Sequence, residues 1–477
     1  MNRNNYPRIL IGGLSGDSGK TVLTCGLITC LRDKCINVKG FKKGPDYIDA
    51  AWISLASGEP ARNLDTYMMG FNQVKNSFLK NADKNGINII EGNRGIFDGV
   101  DSKGTHSSAE LAKLLKSPVI IIQNISKVTR TAAAYIKGCI SIDPDLKIAG
   151  VILNQAAGER HSSIAKTAIE EETGIPVLGL IPKLSEKYIL PSRHLGLVMP
   201  EELEQKNIIM QNLKQIILEN VDVSKILEIA NNALTFENGK FESSEKNQKR
   251  ISEQVKIGYF KDKSFSFYYP ENLEMLSEAG ADLIPISPTS KTELSQNLGD
   301  IDALYIGGGF PEINLPELVS NKEMMDKIKQ LAEAGLPIYA ECGGLMYLAE
   351  KITWKGNEYR LTGVLPVEIQ MHNKPQGHGY CEAIVDNENP FYKPGTVIKG
   401  HEFHYSNINS CQPAIKSILS VTRGTGCFDN RDGLTYKNVF AGYIHIHALA
   451  TPEWVKGMIN AAKNYKNFKK KTPVLAG

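Results

Sequence analysis

The strand Ile9-Leu10-Ile11 runs directly into Gly12-Gly13-Leu14-Ser15-Gly16-Asp17-Ser18-Gly19-Lys20-Thr21, after which Val22 to Leu31 carries a helical pattern. A strand, a glycine-rich loop and a helix in that order turn backbone N–H groups and a helix N-terminus toward phosphate. Gly13, Ser18, Gly19, Lys20 and Thr21 form the expected phosphate set, with Lys20 neutralising charge and Thr21 placed to ligate Mg²⁺. Five residues separate Gly13 from Gly19 where the standard loop has four, because Leu14 stands at the usual glycine position.

The loop opens a longer alternation. Apolar runs at Arg8 to Ile11, Val38 to Phe41, Ile87 to Ile90, Val119 to Ile122, Ile148 to Leu153 and Val177 to Ile181 are separated by helical stretches. That pattern predicts a mostly parallel α/β sheet. From Phe236 to Gln254 the sequence turns polar, FENGKFESSEKNQKRISEQ, as expected of an exposed connector. A second series follows at Val255 to Phe260, Leu283 to Ile286, Ala303 to Ile306 and Pro337 to Ala340. A chain of 477 residues exceeds one ordinary core, so two α/β domains are expected. Their boundaries are 1–235 for an ATP-binding domain, 236–254 for the linker, 255–460 for the second domain and 461–477 for a basic tail around NFKKK.

Acidic residues gather where the first sheet would bind its ligand. Phe41-Lys42-Lys43-Gly44-Pro45-Asp46-Tyr47-Ile48-Asp49 follows the second strand, and Gly-Pro ends regular structure at the C-terminal edge of the sheet. Asp46 and Asp49 are expected to face the phosphate loop, and Lys42 joins the phosphate-binding set. Glu91 closes Ile87-Asn88-Ile89-Ile90 in the same way, with Asp98 in GIFDG a weaker candidate. Strand-end acids suit Mg²⁺, which takes one or two carboxylates plus phosphate oxygens and water. The metal set is therefore Thr21, Asp46 and Glu91.

The second half carries a different chemistry. Strand Pro337-Ile338-Tyr339-Ala340 enters Glu341-Cys342-Gly343-Gly344 and then a helical run, a tight turn that exposes a nucleophile and lowers a thiol pKa at a helix N-terminus. Upstream, Ala303 to Ile306 ends in Gly307-Gly308-Gly309, whose N–H groups, with that of Gly343, are expected to form an oxyanion hole. Both patterns resemble class I glutamine amidotransferases. Near the C-terminus, Gly442-Tyr443-Ile444-His445-Ile446-His447 places two histidines on one face of a predicted strand. His445 is the expected base. His447 stands where many class I glutaminases carry the glutamate of His-Pro-Glu, and is expected to contact substrate or orient its neighbour. Gly400-His401-Glu402-Phe403-His404-Tyr405-Ser406 lacks spaced metal partners and points to a structural or glutamine-pocket role.

FKKGPDYID, ARNLD at Ala61 to Asp65, EGNRGIFDG and GHEFHYS together resemble the cobyrinate a,c-diamide synthase family, and the longer phosphate loop resembles dethiobiotin synthetase and its relatives. The resemblance spans nearly the whole chain. It implies a P-loop-type domain followed by a class I glutaminase domain, ATP-dependent activation of two acetates of a corrin precursor, and their amidation with ammonia from glutamine. By motif, Asp46, Asp49 and Glu91 would organise metal and phosphoryl transfer, while Tyr47, Ile48 and Asp98 would lie near the tetrapyrrole acetate. The alternatives are a nickel-sirohydrochlorin a,c-diamide synthase and a nucleotide-dependent regulatory protein with a vestigial glutaminase.

Composition narrows the partners. The 55 basic and 52 acidic residues nearly balance, so nothing electrostatic recruits nucleic acid or membrane. Small molecules are expected instead: a tetrapyrrole, ATP and L-glutamine, with Mg²⁺ as cofactor. A homodimer is compatible with this picture. Eight cysteines without a C-x-x-C pair, and an N-terminus without a secretion signal, give a cytoplasmic expectation with plain buried thiols.

Overall fold

Long β-branched runs can be buried on both faces only inside a parallel sheet covered by helices. In the computed structural model, which describes residues 5–185, 190–193, 196–236, 254–290, 298–412 and 415–471, the first half of the chain does this. Two units are resolved, Met1–Ser243 and Ser244–Gly477.

The first unit is built on β1 (Arg8–Gly13), β2 (Val38–Lys43), β3 (Arg62–Leu64), β4 (Ile87–Glu91), β5 (Val119–Asn124), β6 (Ile148–Ala156) and β7 (Val177–Pro182). They lie in the order β3-β2-β4-β1-β5-β6-β7, with every pair parallel. Helices α1 (Lys20–Asp33) and α2 (Tyr47–Ser57) cover one face, burying Leu23, Leu27, Trp52 and Ile53 against Ile9, Ile89 and Ile120. Register decides what meets at the sheet edge: Ile11 lies opposite Glu91, and Lys42 opposite Glu91 on the other side. The loop after β1 therefore opens beside a lysine and a carboxylate. β3 is three residues long, too short for a periodic signal, and Asn63 on it donates to the carbonyls of Gly44 and Asp46 at 2.8 and 2.9 Å. A two-stranded hairpin, β8 (Ser192–Arg193) and β9 (Gly196–Leu197), follows.

Phe236, expected to begin the linker, belongs to this unit. Its ring is buried, lies over the Arg8 guanidinium at 4.3 Å and meets Tyr6 and Phe78 edge-on or tilted. Arg8 is itself buried and donates to the carbonyls of Tyr6, Leu115, Lys116 and Leu234, which ties the end of the unit to its first strand. The rest of the expected linker, 237–253, lies outside the described residues.

The second unit begins with β10 (Val255–Phe260), β11 (Ala281–Ile286), β12 (Ala303–Ile306) and β13 (Ile338–Glu341). Next come β14 (Ala349–Trp354), β15 (Asn357–Arg360), β16 (Leu365–Met371) and β17 (Gly377–Val385). Then follow β18 (Val397–His404), β19 (Ser406–Cys411), β20 (Lys416–Arg423), β21 (Arg431–Tyr436), β22 (Val439–Gly442) and β23 (His445–Ile446). The main sheet runs β11-β10-β12-β13-β22-β21-β20-β17-β18-β23, parallel from β11 to β22 and antiparallel beyond. A smaller sheet, β15-β14-β16-β19, completes the unit.

Two expectations are corrected here. The strand expected to carry both His445 and His447 ends at Ile446, so His447 leaves the sheet. The expected basic tail from 461 is the second half of helix Pro452–Lys471, which buries Ala461, Ala462 and Tyr465 along with Trp454 and Met458. Lysines punctuate one side of that helix while the other packs, which made it read as solvated; residues 472–477 lie outside the described residues. Among the described residues, no helix is long and apolar enough to cross a membrane.

Phe236→Ala should cost about 3–5 kcal/mol, as expected for a buried phenylalanine truncated to alanine. Thermal melting checks this: an unchanged melting temperature would return Phe236 to the connector.

Candidate functional site

The phosphate loop is shaped by its neighbours. Gly19 precedes α1 at φ 96°, a left-handed conformation, and a Cβ there would lie 2.4 Å from Asn154 Nδ2. A Cβ on Gly13 would lie 2.3 Å from Ser18 Oγ, so the loop closes only with glycine at both positions. Asn154, at the end of β6, donates to the Ser18 carbonyl at 2.9 Å. Lys20 Nζ donates to the carbonyls of Ser15 and Arg94 at 3.0 and 2.9 Å and to Ser18 Oγ at 3.3 Å. Burial and the charge of Lys42 hold the Lys20 ammonium below its usual range.

Around the loop, Lys42 is the hub. Its buried ammonium lies 2.5 Å from Asp49 Oδ2 and 2.7 Å from Glu91 Oε1. Burial opposes that charge, but Asp49, Glu91 and Asp46 outweigh it and hold Lys42 above its usual range. Thr21 Oγ1 donates to Glu91 Oε1 at 2.9 Å, while Glu91 Oε2 is buried with no hydrogen-bond partner. Burial is the main cause that raises the Glu91 carboxyl. Gly13, Ser18, Gly19, Lys20, Thr21, Lys42, Asp49 and Glu91 are thus brought together.

The other expected residues stand differently. Asp46 caps α2, its Oδ1 accepting from Asp49 N at 2.9 Å, and burial with the charge of Asp49 pushes its carboxyl up to about 7. Asp98 Oδ2 accepts from Gly95 N at 2.8 Å and closes a turn whose Ile96 N–H donates to Gly13 O at 2.7 Å. Ile48 is partly buried and packs against the apolar core of this unit. Tyr47 opens α2. Arg94 was missed; it holds φ 46°, and its carbonyl anchors Lys20.

In the second unit Cys342 sits between β13 and helix Gly343–Leu348 at φ 46° and ψ −98°, a strained turn. Its N–H donates to Gly442 O at 2.7 Å, fixing the elbow to β22. The glycine loop after β12 lies against it: a Cβ on Gly343 would be 3.1 Å from Gly309 N, and one on Gly308 would be 2.5 Å from His445 Cε1. Cys342, Gly308, Gly309, Gly343 and His445 therefore share one site. One expectation fails. Burial and the charge of Glu312 push the Cys342 thiol up, and the N–H of Gly343 does not offset them. The following helix is only six residues long, so its dipole is weak against full desolvation.

The histidines separate. His445 Nδ1 lies 3.5 Å from Glu341 Oε2, and its ring stacks on His401 at 4.9 Å and 18°. His447 Nε2 lies 3.5 Å from Glu271 Oε2, its Nδ1 accepts from Leu449 N, and its ring packs on Tyr269. His404 stacks on Tyr443 at 3.7 Å, while Glu402 accepts from the N–H groups of Thr425 and Gly426, a structural arrangement. Glu341 was missed as a candidate site residue, whereas His401 belongs to the block expected to be structural or to line the glutamine pocket. A charged residue ending an apolar strand, the signal that singled out Glu91, was also present at Glu341.

Comparison with known proteins agrees with both halves. Residues 9–198 match the CobQ/CobB/MinD/ParA nucleotide binding domain family, and residues 256–453 match the CobB/CobQ-like glutamine amidotransferase domain family. The cobyrinate a,c-diamide synthase of Magnetococcus marinus is 39% identical over 94% of this chain and 95% of its own length. Those of Archaeoglobus fulgidus and Dehalococcoides mccartyi are each 38% identical over 97% of this chain and 99% of theirs. With a phosphate loop in one unit, a cysteine elbow in the other, and relatives matched along nearly their whole length, this chain belongs to the cobyrinate a,c-diamide synthase family.

Proposed function

We propose that this chain is a glutamine-hydrolysing, ATP-dependent ligase that amidates the a and c acetate carboxylates of cobyrinate in cobalamin biosynthesis. The observation that carries this is the presence in one chain of the Lys20–Lys42–Glu91 cluster at a phosphate loop and of Cys342 beside His445 and a glycine loop. Its relatives do not favour the nickel macrocycle. ATP and glutamine are cytoplasmic metabolites, and we place the reaction there.

In the first half-reaction a substrate carboxylate oxygen attacks the γ-phosphorus of ATP, ADP leaves, and an acyl phosphate forms. Lys20, with the N–H groups at the start of α1, binds the phosphates; Lys42 adds charge and holds Asp49 and Glu91 apart from mutual repulsion. Mg²⁺ fits beside them. Thr21 and Glu91 offer hard oxygen donors, Glu91 Oε2 is buried without a partner, and Asp46 keeps one oxygen beyond its cap. Bound there, the ion would neutralise phosphate charge. Tyr47, Ile48 and Asp98 would meet the tetrapyrrole acetate, and Asp49, paired with Lys42, would organise phosphoryl transfer with Glu91.

The second half-reaction supplies nitrogen. Cys342 Sγ attacks the glutamine amide carbon as its proton passes to His445, and the oxyanion meets the N–H groups of Gly308, Gly309 and Gly343. His445 then protonates the leaving nitrogen, the C–N bond breaks, and water hydrolyses the thioester to glutamate. Ammonia attacks the acyl phosphate and expels phosphate.

With cobyrinate, ATP and glutamine, mass spectrometry should reveal a product amidated twice; no amide from cobyrinate alongside amide from nickel-sirohydrochlorin would overturn the substrate. Glu91→Gln should raise the Mg²⁺ requirement for half-maximal synthesis by about 10-fold or more, the range for a weakened metal shell. An unmoved Mg²⁺ titration would make Glu91 purely structural. Cys342→Ala should lose glutamine-dependent synthesis yet amidate with free ammonia, since only the sulfur is removed. Activity of that variant with glutamine would require another nucleophile.

A further inference from the structure

The usual acid of a glutaminase triad follows the histidine, and here that position holds His447, which is paired to Glu271. We propose that Glu341, the residue immediately before the nucleophile, is the carboxylate that positions His445. This rests on Cys342 and His445 as nucleophile and base.

Glu341 ends β13 and has no exposure to solvent. Its Oε2 lies 3.5 Å from His445 Nδ1 and accepts from Tyr305 Oη at 3.3 Å, while its Oε1 accepts from the N–H of Ile446 at 3.3 Å. One carboxylate therefore faces the imidazole at ion-pair distance and holds the backbone next to it. The ring is also confined on its face by His401 and at Cε1 by the close approach of Gly308. Catalytic hydrogen bonds are often long in an enzyme without substrate and tighten in the complex. With Nδ1–H directed to Glu341, the other nitrogen, Nε2, takes the thiol proton, and the adjacent negative charge stabilises the imidazolium that results.

Other buried carboxylates nearby are committed elsewhere. Asp432 accepts from the N–H groups of Tyr443 and Ile444 and from the Cys427 thiol, and Glu402 accepts from Thr425 and Gly426. Among the described residues, the titratable groups facing this centre include Glu341 and Tyr339 from β13, His401 from β18 with His378 from β17, Tyr305 from β12, Tyr268, Tyr269, Tyr392, His447 beyond β23, and Cys342 with Glu312, Asp432 and Tyr443 around it. His401 is held well below the usual histidine range by burial and by His445, so it is neutral and cannot replace the carboxylate. The buried thiol, pushed up, makes no appreciable thiolate unaided.

The test is the pH profile of glutamine hydrolysis and of Cys342 alkylation by a diazoketone glutamine analogue, measured on the full chain. Glu341→Gln should lower glutaminase kcat by about 10-fold or more with little change in KM, within the range of general acid–base catalysis. Its acid limb should move to lower pH, because the imidazolium loses its stabilising charge. Glu341→Asp, which keeps the charge on a shorter stem, should hold the limb near its original position and covers the case in which the glutamine variant fails to fold. Glu271→Gln should leave the limb where it is. An unmoved limb in Glu341→Gln, or one moved by Glu271→Gln, overturns the proposal. His445→Ala separates the two levels: if it retains the limb, the Cys342–His445 assignment itself fails, whereas loss of the limb there with none moved by Glu341→Gln rejects Glu341 alone.

Discussion

The contact between Lys42 and Glu91 is the constraint on which the synthetase half depends. Two opposite charges, both removed from water, meet at 2.7 Å across β2 and β4. Such a pair is weak evidence for stability, because desolvation offsets much of the attraction and an apolar pair of similar volume often does as well. Removing one partner is another matter, costing about 3–5 kcal/mol when a buried charge is left unpaired. The chain keeps charge at a place where hydrophobes would hold the sheet, and the reason lies in what borders it. Lys20 and Thr21 open α1 directly after the loop glycine Gly19, and both reach the same edge. The parallel register that sets Ile11 and Lys42 on either side of Glu91 is what makes a phosphate site out of three separate strands.

The second unit repeats that logic with a different reagent. An acid again ends a buried parallel strand, but Glu341 is followed at once by the strained Cys342 turn, so acid and nucleophile are set by one backbone. β13 is held on both sides, by β12 and β22, and Cys342 N–H is tied to Gly442 O. His445 then arrives from a separate strand. Its location follows from Asp432, which grips the N–H groups of Tyr443 and Ile444 just before it.

Much of this was legible in the sequence, and the failures have identifiable causes. The parallel strands stood out because burial on both faces demands continuous apolar runs such as Val119 to Ile122. β17, β18 and β20 mix buried with exposed residues, and β21 buries Asp432 and Gly433, so no continuous apolar run marks them. Phe236 read as linker because its partners, Tyr6 and Arg8, lie at the opposite end of the unit's sequence. The C-terminal lysines masked a helix that buries its other face. At the sites, local motifs located Lys20, Glu91, Cys342 and His445, since each sits at a strand end or in a glycine turn. Glu341 carries no such local mark of its contact with His445, which is distant in sequence, whereas His447 stands beside that histidine.

The elevated thiol bears on how the two half-reactions stay in step. A surface cysteine at a helix N-terminus would hold some thiolate at neutral pH and attack glutamine whenever it bound. Here burial and the charge of Glu312 hold the Cys342 thiol up against the short helix, which leaves a base such as His445 as the means of forming thiolate. The conditional part is geometric: the imidazole is confined by His401 and Gly308 and drawn toward Glu341 at a distance longer than a formed hydrogen bond. In such a site thiolate forms only on transfer of its proton to His445, so glutamine cleavage depends on how that ring is held. That is the arrangement needed by an enzyme whose ammonia is useful only while an acyl phosphate is waiting.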